Sequence, residues 1–345
     1  MTGAVPDSWR TLALDPPRAF GPPPVRGCIR VEPEDFVVDE QLGFAPAGEG
    51  PHLLLRVRKR SANTEWVARD LARRARCRPF DVGYAGLKDR HAVTTQWYTV
   101  PRGQSTPEEW CSTEGEGYAV LEAHLHRRKL PRGALAGNCF ELRIRSVTGD
   151  REALAARLAE LGTCGVPDYF GPQRFGHALS NLGRVAAGDF RTDRKFGLSA
   201  ARSLVFNAVL AQRVCEDSWA TLEPGDVANL DGTGSVFDVA TVDMALAGRV
   251  KALDVHPTGP LWGAGESRAT GRIAGLEAAV GAQFGPVCDA LIAEGVDAAR
   301  RALRVAVRDL AHAFEGDVLT LKFRLTAGSF ATTVLREVLN VANDR

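Results

Sequence analysis

Strict alternation of apolar and polar side chains marks several segments of this chain as β-strands. In residues 137–145, Phe140, Leu142 and Ile144 share one face, and charged side chains occupy the other. Residues 317–325 repeat the pattern, with an apolar residue at every second position. Asn138 falls on an apolar face, where an amide without partners would be costly. We therefore expect strands that each bury one face, with Asn138 near a strand end beside a polar group.

Helical patterns and a change in composition organise the rest of the chain. Asn63 or Thr64 can cap a helix that runs to about residue 76, because apolar residues recur there at intervals of four. A second helix is expected after residue 150 and a third over residues 199–214. Residues 165–176 are rich in Gly, Pro and aromatic residues. Because 345 residues suffice for two domains, this change indicates the start of the second one.

The most unusual stretch lies between two predicted strands, at residues 84–97. It contains Gly86, which suits a sharp turn or a close approach, and the triplet Lys88, Asp89 and Arg90. Such a triplet is most often an exposed turn. Here the flanking cations favour an ionised carboxylate, so Asp89 is a candidate nucleophile or base.

Charge is segregated along the chain although the net charge is only +1. Residues 55–90 and 127–145 are rich in Lys and Arg, whereas residues 214–248 contain no Lys or Arg. A phosphate-binding face needs this kind of segregation more than a high net charge. The alternative is that the basic runs are solvated strand and helix faces.

Several function classes are excluded by missing motifs. The chain has no G-x-x-x-x-G-K-[ST], no complete dinucleotide fingerprint, no H-E-x-x-H and no G-x-S-x-G. Its seven cysteines are scattered and include no C-x-x-C pair, so neither a zinc site nor a disulfide framework is expected. The first residues lack a signal-peptide pattern and no segment reads as a membrane span, so we expect a cytoplasmic protein without cofactor, metal or membrane partner.

Residues 85–97 (AGLKDRHAVTTQW) resemble the signature of the TruD family of tRNA pseudouridine synthases. Further segments resemble family motifs in the family's order, so that the resemblance runs from about residue 27 to the C-terminus. These segments are residues 34–40 (EDFVVDE), 52–59 (HLLLRVRK), 137–140 (GNCF), 166–176 (VPDYFGPQRFG), 256–263 (HPTGPLWG) and 328–337 (GSFATTVLRE).

The resemblance implies an α+β fold. A pseudouridine synthase catalytic domain with a mixed, largely antiparallel sheet would comprise residues 1–162 and 306–345. An inserted family-specific α/β (TRUD) domain would span residues 163–305. The composition change near residue 165 agrees with this division.

The resemblance also implies site residues and a reaction. Asp89 would be the catalytic aspartate of a tRNA pseudouridine synthase acting on a flipped-out uridine, at position 13 of the tRNA. It would either attack C1′ or remove a proton from C2′ to give a glycal. Lys88 would support Asp89 through an ion pair with it or would bind a phosphate. The substrate-binding residues would be Phe36, Asn138, Phe140, Arg90, Arg58 and Lys59.

An alternative from a different class is a tRNA-binding or RNA-chaperone protein that keeps the fold without catalysis. The presence of Asp89, Asn138 and Phe140 argues against it. We expect a monomer that binds tRNA through the basic runs 56–78 and 127–145. One departure from the family pattern is Asp168, where an asparagine is usual, which leaves the role of an amide there in doubt.

Overall fold

The computed structural model describes residues 3–342, and the chain divides into two compact units. The sheet unit consists of the described residues within Val25–Arg151, Arg308–Gly328 and Leu339–Arg345. The helix-rich unit consists of those within Met1–Pro24, Glu152–Val307 and Ser329–Val338.

The predicted domain boundaries at residues 163 and 305 lie near the observed junctions at residues 152 and 307. The helix-rich unit also includes two segments that the prediction placed with the sheet, one before residue 25 and one at residues 329–338. Residues 1, 2 and 343–345 of the predicted ranges lie outside the described residues. The assignment of the units to a catalytic and a family-specific domain stays a prediction.

Ten α-helices and seventeen strands form within residues 3–342. The helices are α1 Asp7–Leu14, α2 Thr64–Arg74, α3 Pro107–Trp110, α4 Arg151–Cys164, α5 Ser180–Ala186, α6 Arg194–Cys215, α7 Met244–Lys251, α8 Gly271–Gln283, α9 Gly285–Ala293 and α10 Ala331–Val338. The strands are β1 Val25–Ile29, β2 Phe36–Gln41, β3 His52–Arg60, β4 Gly83–Tyr84, β5 Val93–Pro101, β6 Glu114–Gly115, β7 Tyr118–His126, β8 Gly137–Gly149, β9 Val166–Pro167, β10 Val227–Leu230, β11 Val236–Asp238, β12 Val255–Leu261, β13 Ala299–Ala302, β14 Arg304–Val305, β15 Arg308–Glu315, β16 Val318–Thr326 and β17 Leu339–Val341.

The sheet unit is built on one sheet of eleven strands within the described residues. Its main path runs β15-β16-β8-β2-β5-β3-β7-β6, with β1, β4 and β17 paired beside it. The pairs β2/β5 and β1/β17 are parallel and the others are antiparallel. The prediction of an α+β fold with a mixed, largely antiparallel sheet is therefore confirmed.

Helix α2 covers part of this sheet, and its start is the predicted one. The Asn63 side chain accepts a hydrogen bond of 2.9 Å from the Glu65 amide, which caps the helix. Val67 and Leu71 are fully buried in a core cluster with Leu53 and Leu55 of β3. This packing fixes the end of α2 that lies next to the loop between β4 and β5.

The helix-rich unit is organised around α6, a helix of 22 residues that is buried along most of its length. The prediction began this helix at residue 199, but it begins at Arg194. A separate sheet of order β11-β10-β12-β13 belongs to the same unit. Within residues 3–342, no single helix has the length and apolar character of a membrane span. The bent pair α8 and α9 meets that test jointly by length and composition alone.

Polar side chains of the sheet unit hold the loop of residues 85–92, here called the catalytic loop because it contains the candidate residue Asp89. Gln96 of β5 donates through Nε2 to the Gly86 carbonyl at 3.3 Å. The Thr64 hydroxyl donates to Gln96 Oε1 at 3.0 Å and accepts from the Lys88 amide at 3.1 Å. Lys59 donates through Nζ to the carbonyls of Asp89, at 2.8 Å, and Ala62, at 2.9 Å. The backbone of the loop is thus hydrogen-bonded at Gly86 to β5, at Lys88 to α2 and at Asp89 to β3.

A buried ion pair adds a further anchor. Lys88 Nζ lies 2.7 Å from Glu40 Oε2, with side-chain exposures of 8% and 0%. The other carboxylate oxygen of Glu40 accepts a hydrogen bond of 3.1 Å from the Trp97 amide of β5. The Lys88 side chain therefore points into the protein, and its ion pair with Glu40 holds the catalytic loop close to β2.

Lys59 is completely buried, and this changes its protonation. Burial, together with Lys88 and against the opposing effect of Asp89, lowers the pKa of its ammonium group from 10.5 to about 8. Between these values the unfolded chain binds a proton that the folded chain does not bind. The free energy of unfolding therefore rises with pH in this window, by up to about 1.4 kcal/mol per pH unit.

We predict that Lys59→Met abolishes this rise. Chemical denaturation from pH 8 to pH 9.5 should show wild-type stability gaining about 1–2 kcal/mol relative to the variant. The matched control is Lys251→Met, at an exposed lysine without an ion pair among the described residues, and it should follow wild type. An identical pH dependence in wild type and Lys59→Met would contradict the lowered pKa.

Candidate active site

The Asp89 carboxylate is exposed at the surface of the sheet unit. Its side chain is 53% exposed, and Oδ2 lies 2.8 Å from Nη2 of Arg30. Arg30 directly follows β1 and has φ of 56°, a left-handed conformation that is uncommon for residues other than glycine. The backbone of the catalytic loop is bonded to the buried face of the sheet unit. The Asp89 side chain points outward and has Arg30 as its cationic partner.

Arg30 also covers an aromatic ring. The centre of its guanidinium lies 4.2 Å from the ring centroid of Phe36. Phe36 meets Phe140 edge to face at 6.3 Å, and Phe140 stacks on Phe323 at 5.3 Å. A row of three rings thus extends across β2, β8 and β16 and ends beneath the cation that pairs with Asp89.

The structure brings Phe36, Phe140 and Asn138 together on neighbouring strands. In the β2/β8 register, Glu40 lies opposite Asn138 and Val38 lies opposite Phe140. Both rings are nearly buried, with 4% and 8% exposure. The two predicted rings therefore pack against each other beneath Arg30.

Asn138 is the second residue of β8 and is 8% exposed, as the alternation indicated. Its cross-strand neighbour is the carboxylate-bearing Glu40, the polar group expected beside it. The Asn138 side chain forms no hydrogen bond with Asp89 among the described residues. Its Oδ1 is buried and has no hydrogen-bond partner in the described part of the chain, so an acceptor is left open.

Two lysines play other roles than the sequence suggested. The expected ion pair between Lys88 and Asp89 is not formed, because Lys88 turns inward to Glu40 while Asp89 turns outward to Arg30. Lys59 was predicted to bind substrate, but it is fully buried and is bonded to two backbone carbonyls. That prediction is wrong for the position that Lys59 occupies here.

Arg58 and Arg90 remain open to solvent, as a phosphate contact requires. Both are exposed, and neither forms an ion pair with a described residue. Most other cations of the basic run 56–78 are already neutralised. The paired ones are Arg56 with Asp39 and Glu122, Arg60 with Glu34, Arg73 and Arg74 with Asp70, and Arg78 with Asp81. Fewer unpaired cations are therefore available near the catalytic loop than the composition of the basic run suggests.

Sequence reasoning missed Arg30 and Glu40. No local motif marks Arg30, because its partners Asp89 and Phe36 are assembled by the sheet. Glu40 had a usable signal, since it continues the every-second-residue series of Phe36 and Val38 onto the buried face of β2. No group of three or more His, Cys, Asp or Glu side chains that could hold a metal ion lies within residues 3–342.

Comparisons with known proteins agree with the fold and the motifs. A crystal structure of a TruD protein from Methanosarcina mazei matches with a TM-score of 0.73, covering 96% of this chain and 98% of that chain at 20% identity. A likeness at that level of identity shows the fold alone.

Sequences with higher identity are found among curated proteins. The tRNA pseudouridine synthases D of Methylococcus capsulatus and Nitrosococcus oceani are each 46% identical over 333 residues. The alignments cover 94% and 93% of this chain, and the same shares of the relatives. A sequence model of the family "tRNA pseudouridine synthase D (TruD)" matches residues 19–188 and 192–338. The chain therefore belongs to the tRNA pseudouridine synthase D (TruD) family.

Proposed function

We propose that this protein converts the uridine at position 13 of tRNA to pseudouridine, with Asp89 as the group that acts on the ribose. Members of its family isomerise uridine to pseudouridine in tRNA. The observation that carries the assignment of Asp89 is the anchoring of the catalytic loop. Buried polar contacts fix the loop at the Lys88 amide and at the Asp89 carbonyl, while the Asp89 carboxylate faces solvent. The protein would act in the cytoplasm.

The reaction is an isomerisation in which atoms and electrons balance within the nucleotide. The N1–C1′ bond breaks, a C5–C1′ bond forms, the proton leaves C5 and N1 ends with a proton. Asp89 would either displace uracil by attack on C1′ or take the C2′ proton to give a glycal. Both routes require the carboxylate to contact the ribose, which the outward orientation and 53% exposure of Asp89 permit.

The row of rings supports a site for an extruded base. Flipped-out bases are commonly stacked on aromatic side chains. The face of Phe36 is covered by the Arg30 guanidinium in this structure, so a uracil at this end of the row would stack on the guanidinium, which stays paired with Asp89. The open acceptor on Asn138 supports a base-binding role as well, because uracil N3–H is a donor that would satisfy it.

The choice of nucleotide can be tested with transcripts that carry tritium at C5 of every uridine. Isomerisation releases the C5 hydrogen, so a tRNA transcript with uridine at position 13 should release one equivalent per molecule. A transcript with only that nucleotide changed to cytidine should release none. Equal release from both transcripts would place the reaction at another nucleotide. Binding without release from either would favour a protein that binds tRNA without catalysis.

Arg30 should orient the Asp89 carboxylate. We predict that Arg30→Gln slows pseudouridine formation by about tenfold to a hundredfold in single turnovers, because the reacting group loses its fixed position. Enzyme in excess of tRNA keeps binding out of the measured rate. Arg26→Gln is the matched control, since Arg26 is an exposed residue of β1 without an ion pair among the described residues, and its rate should equal wild type. An unchanged rate in Arg30→Gln would overturn the orienting role.

A further inference from the structure

The helix-rich unit contains a basic cavity that the proposed reaction does not use. The cavity has a volume of about 540 Å³, within the usual range of ligand sites. One face of α6 lines it at helical spacing, through Arg194, Leu198 and Arg202 and, one position further along, Lys195, Ser199 and Ser203. The remaining walls are Phe170, Arg174, Leu261 and Val296. Four cations and no carboxylate are among these lining residues.

Three of the four cations lack a carboxylate partner within the described residues. Arg174 donates to the neutral Ser199 hydroxyl at 2.9 Å. Arg202 donates through Nη2 to the carbonyls of Leu261 and Asp297, and its Nε is buried without a described partner. The Lys195 side chain is exposed and forms no hydrogen bond or ion pair with a described residue. Only Arg194 is neutralised, by Glu294 at 2.7 Å.

The surroundings disfavour these charges in the absence of an anion. Burial lowers the pKa of both Arg174 and Arg202; the nearby Arg301 lowers that of Arg174 further, whereas Asp297 offsets part of the effect of burial on Arg202. Half-buried guanidinium groups that donate hydrogen bonds only to neutral oxygens carry a desolvation cost that is at most partly compensated. A bound anion would offset this cost, and phosphate esters match the planar donor geometry of arginine.

We propose that this cavity binds a backbone phosphate of the substrate RNA. The identity of the ligand rests on the proposed function, whereas the anion site rests on the cavity itself. Phe170 and Leu198 supply apolar wall beside the cations, and a nucleotide of an RNA chain covers such a wall whereas a free phosphate ion does not. Phe196, adjacent to Lys195, is 60% exposed and offers a further surface on which a base can stack.

Lys195→Ala is the main test, because this exposed side chain forms no contact that folding needs. The dissociation constant for unmodified tRNA should rise roughly fivefold, and the slope of its logarithm against the logarithm of salt concentration should fall by about 0.7–0.9, the value for one phosphate contact. The KM should rise while kcat at saturating tRNA stays at the wild-type value. Lys251→Ala removes an exposed cation of the same unit outside the cavity, and it should change none of these quantities.

Arg174→Gln provides a second variant. If Arg174 and Lys195 hold the same phosphate, the double variant should weaken binding by less than the product of the single effects. Unchanged tRNA affinity and salt slope in Lys195→Ala and Arg174→Gln would overturn the proposal. The proposal would also be overturned if these variants weakened the binding of uridine monophosphate but not the binding of tRNA. These outcomes are separate from failure of the proposed function, in which wild type itself would form no pseudouridine.

Discussion

The anchoring of the catalytic loop on the buried face of the sheet is the interaction on which the candidate site depends. The loop contains glycine and charged residues and has little apolar surface of its own to bury. Its position therefore comes from the hydrogen bonds of Lys59, Thr64 and Gln96 and from the ion pair between Lys88 and Glu40. Removing one partner of a buried ion pair typically costs about 3–5 kcal/mol, so the pair of Lys88 and Glu40 strongly disfavours other positions of the loop.

This arrangement divides neighbouring residues between structure and chemistry. The side chain of Lys88 and the backbone of Asp89 belong to the buried network, whereas the Asp89 carboxylate is left to Arg30 and solvent. The neutral form of Lys59 has two N–H groups, and two carbonyls accept from it. Loss of its proton near pH 8 thus leaves the loop attached. The row of rings from Phe36 to Phe323 supports the same region from below.

Much of the fold and part of the candidate site could be predicted from the sequence. Some features that were not predicted, such as the burial of Lys59, were nevertheless indicated by the residue pattern. Alternation located β8 and β16, and the family resemblance supplied the mixed, largely antiparallel character of the sheet, which alternation cannot give. Alternate residues of a strand lie on opposite faces, so Lys59 lies with Val57 on the buried face of β3, whereas Arg58 lies on the exposed face. A lysine that continues an apolar series is more economically explained as a buried anchor than as a phosphate ligand. The pairing of Arg30 with Asp89, 59 positions apart, was inaccessible because it depends on how β1 and the loop are placed in space. The neutralisation of Arg60 by Glu34 was hidden for the same reason.

The central claim is that the carboxylate displayed by the anchored loop performs the chemistry. The most direct measurement compares wild type with Asp89→Asn in single turnovers, with enough enzyme to bind all of the tRNA. The account predicts tRNA affinity within about twofold of wild type and a rate of pseudouridine formation lower by about a thousandfold or more. A rate within tenfold of wild type, at equal tRNA occupancy, would show that Asp89 is not the reacting group.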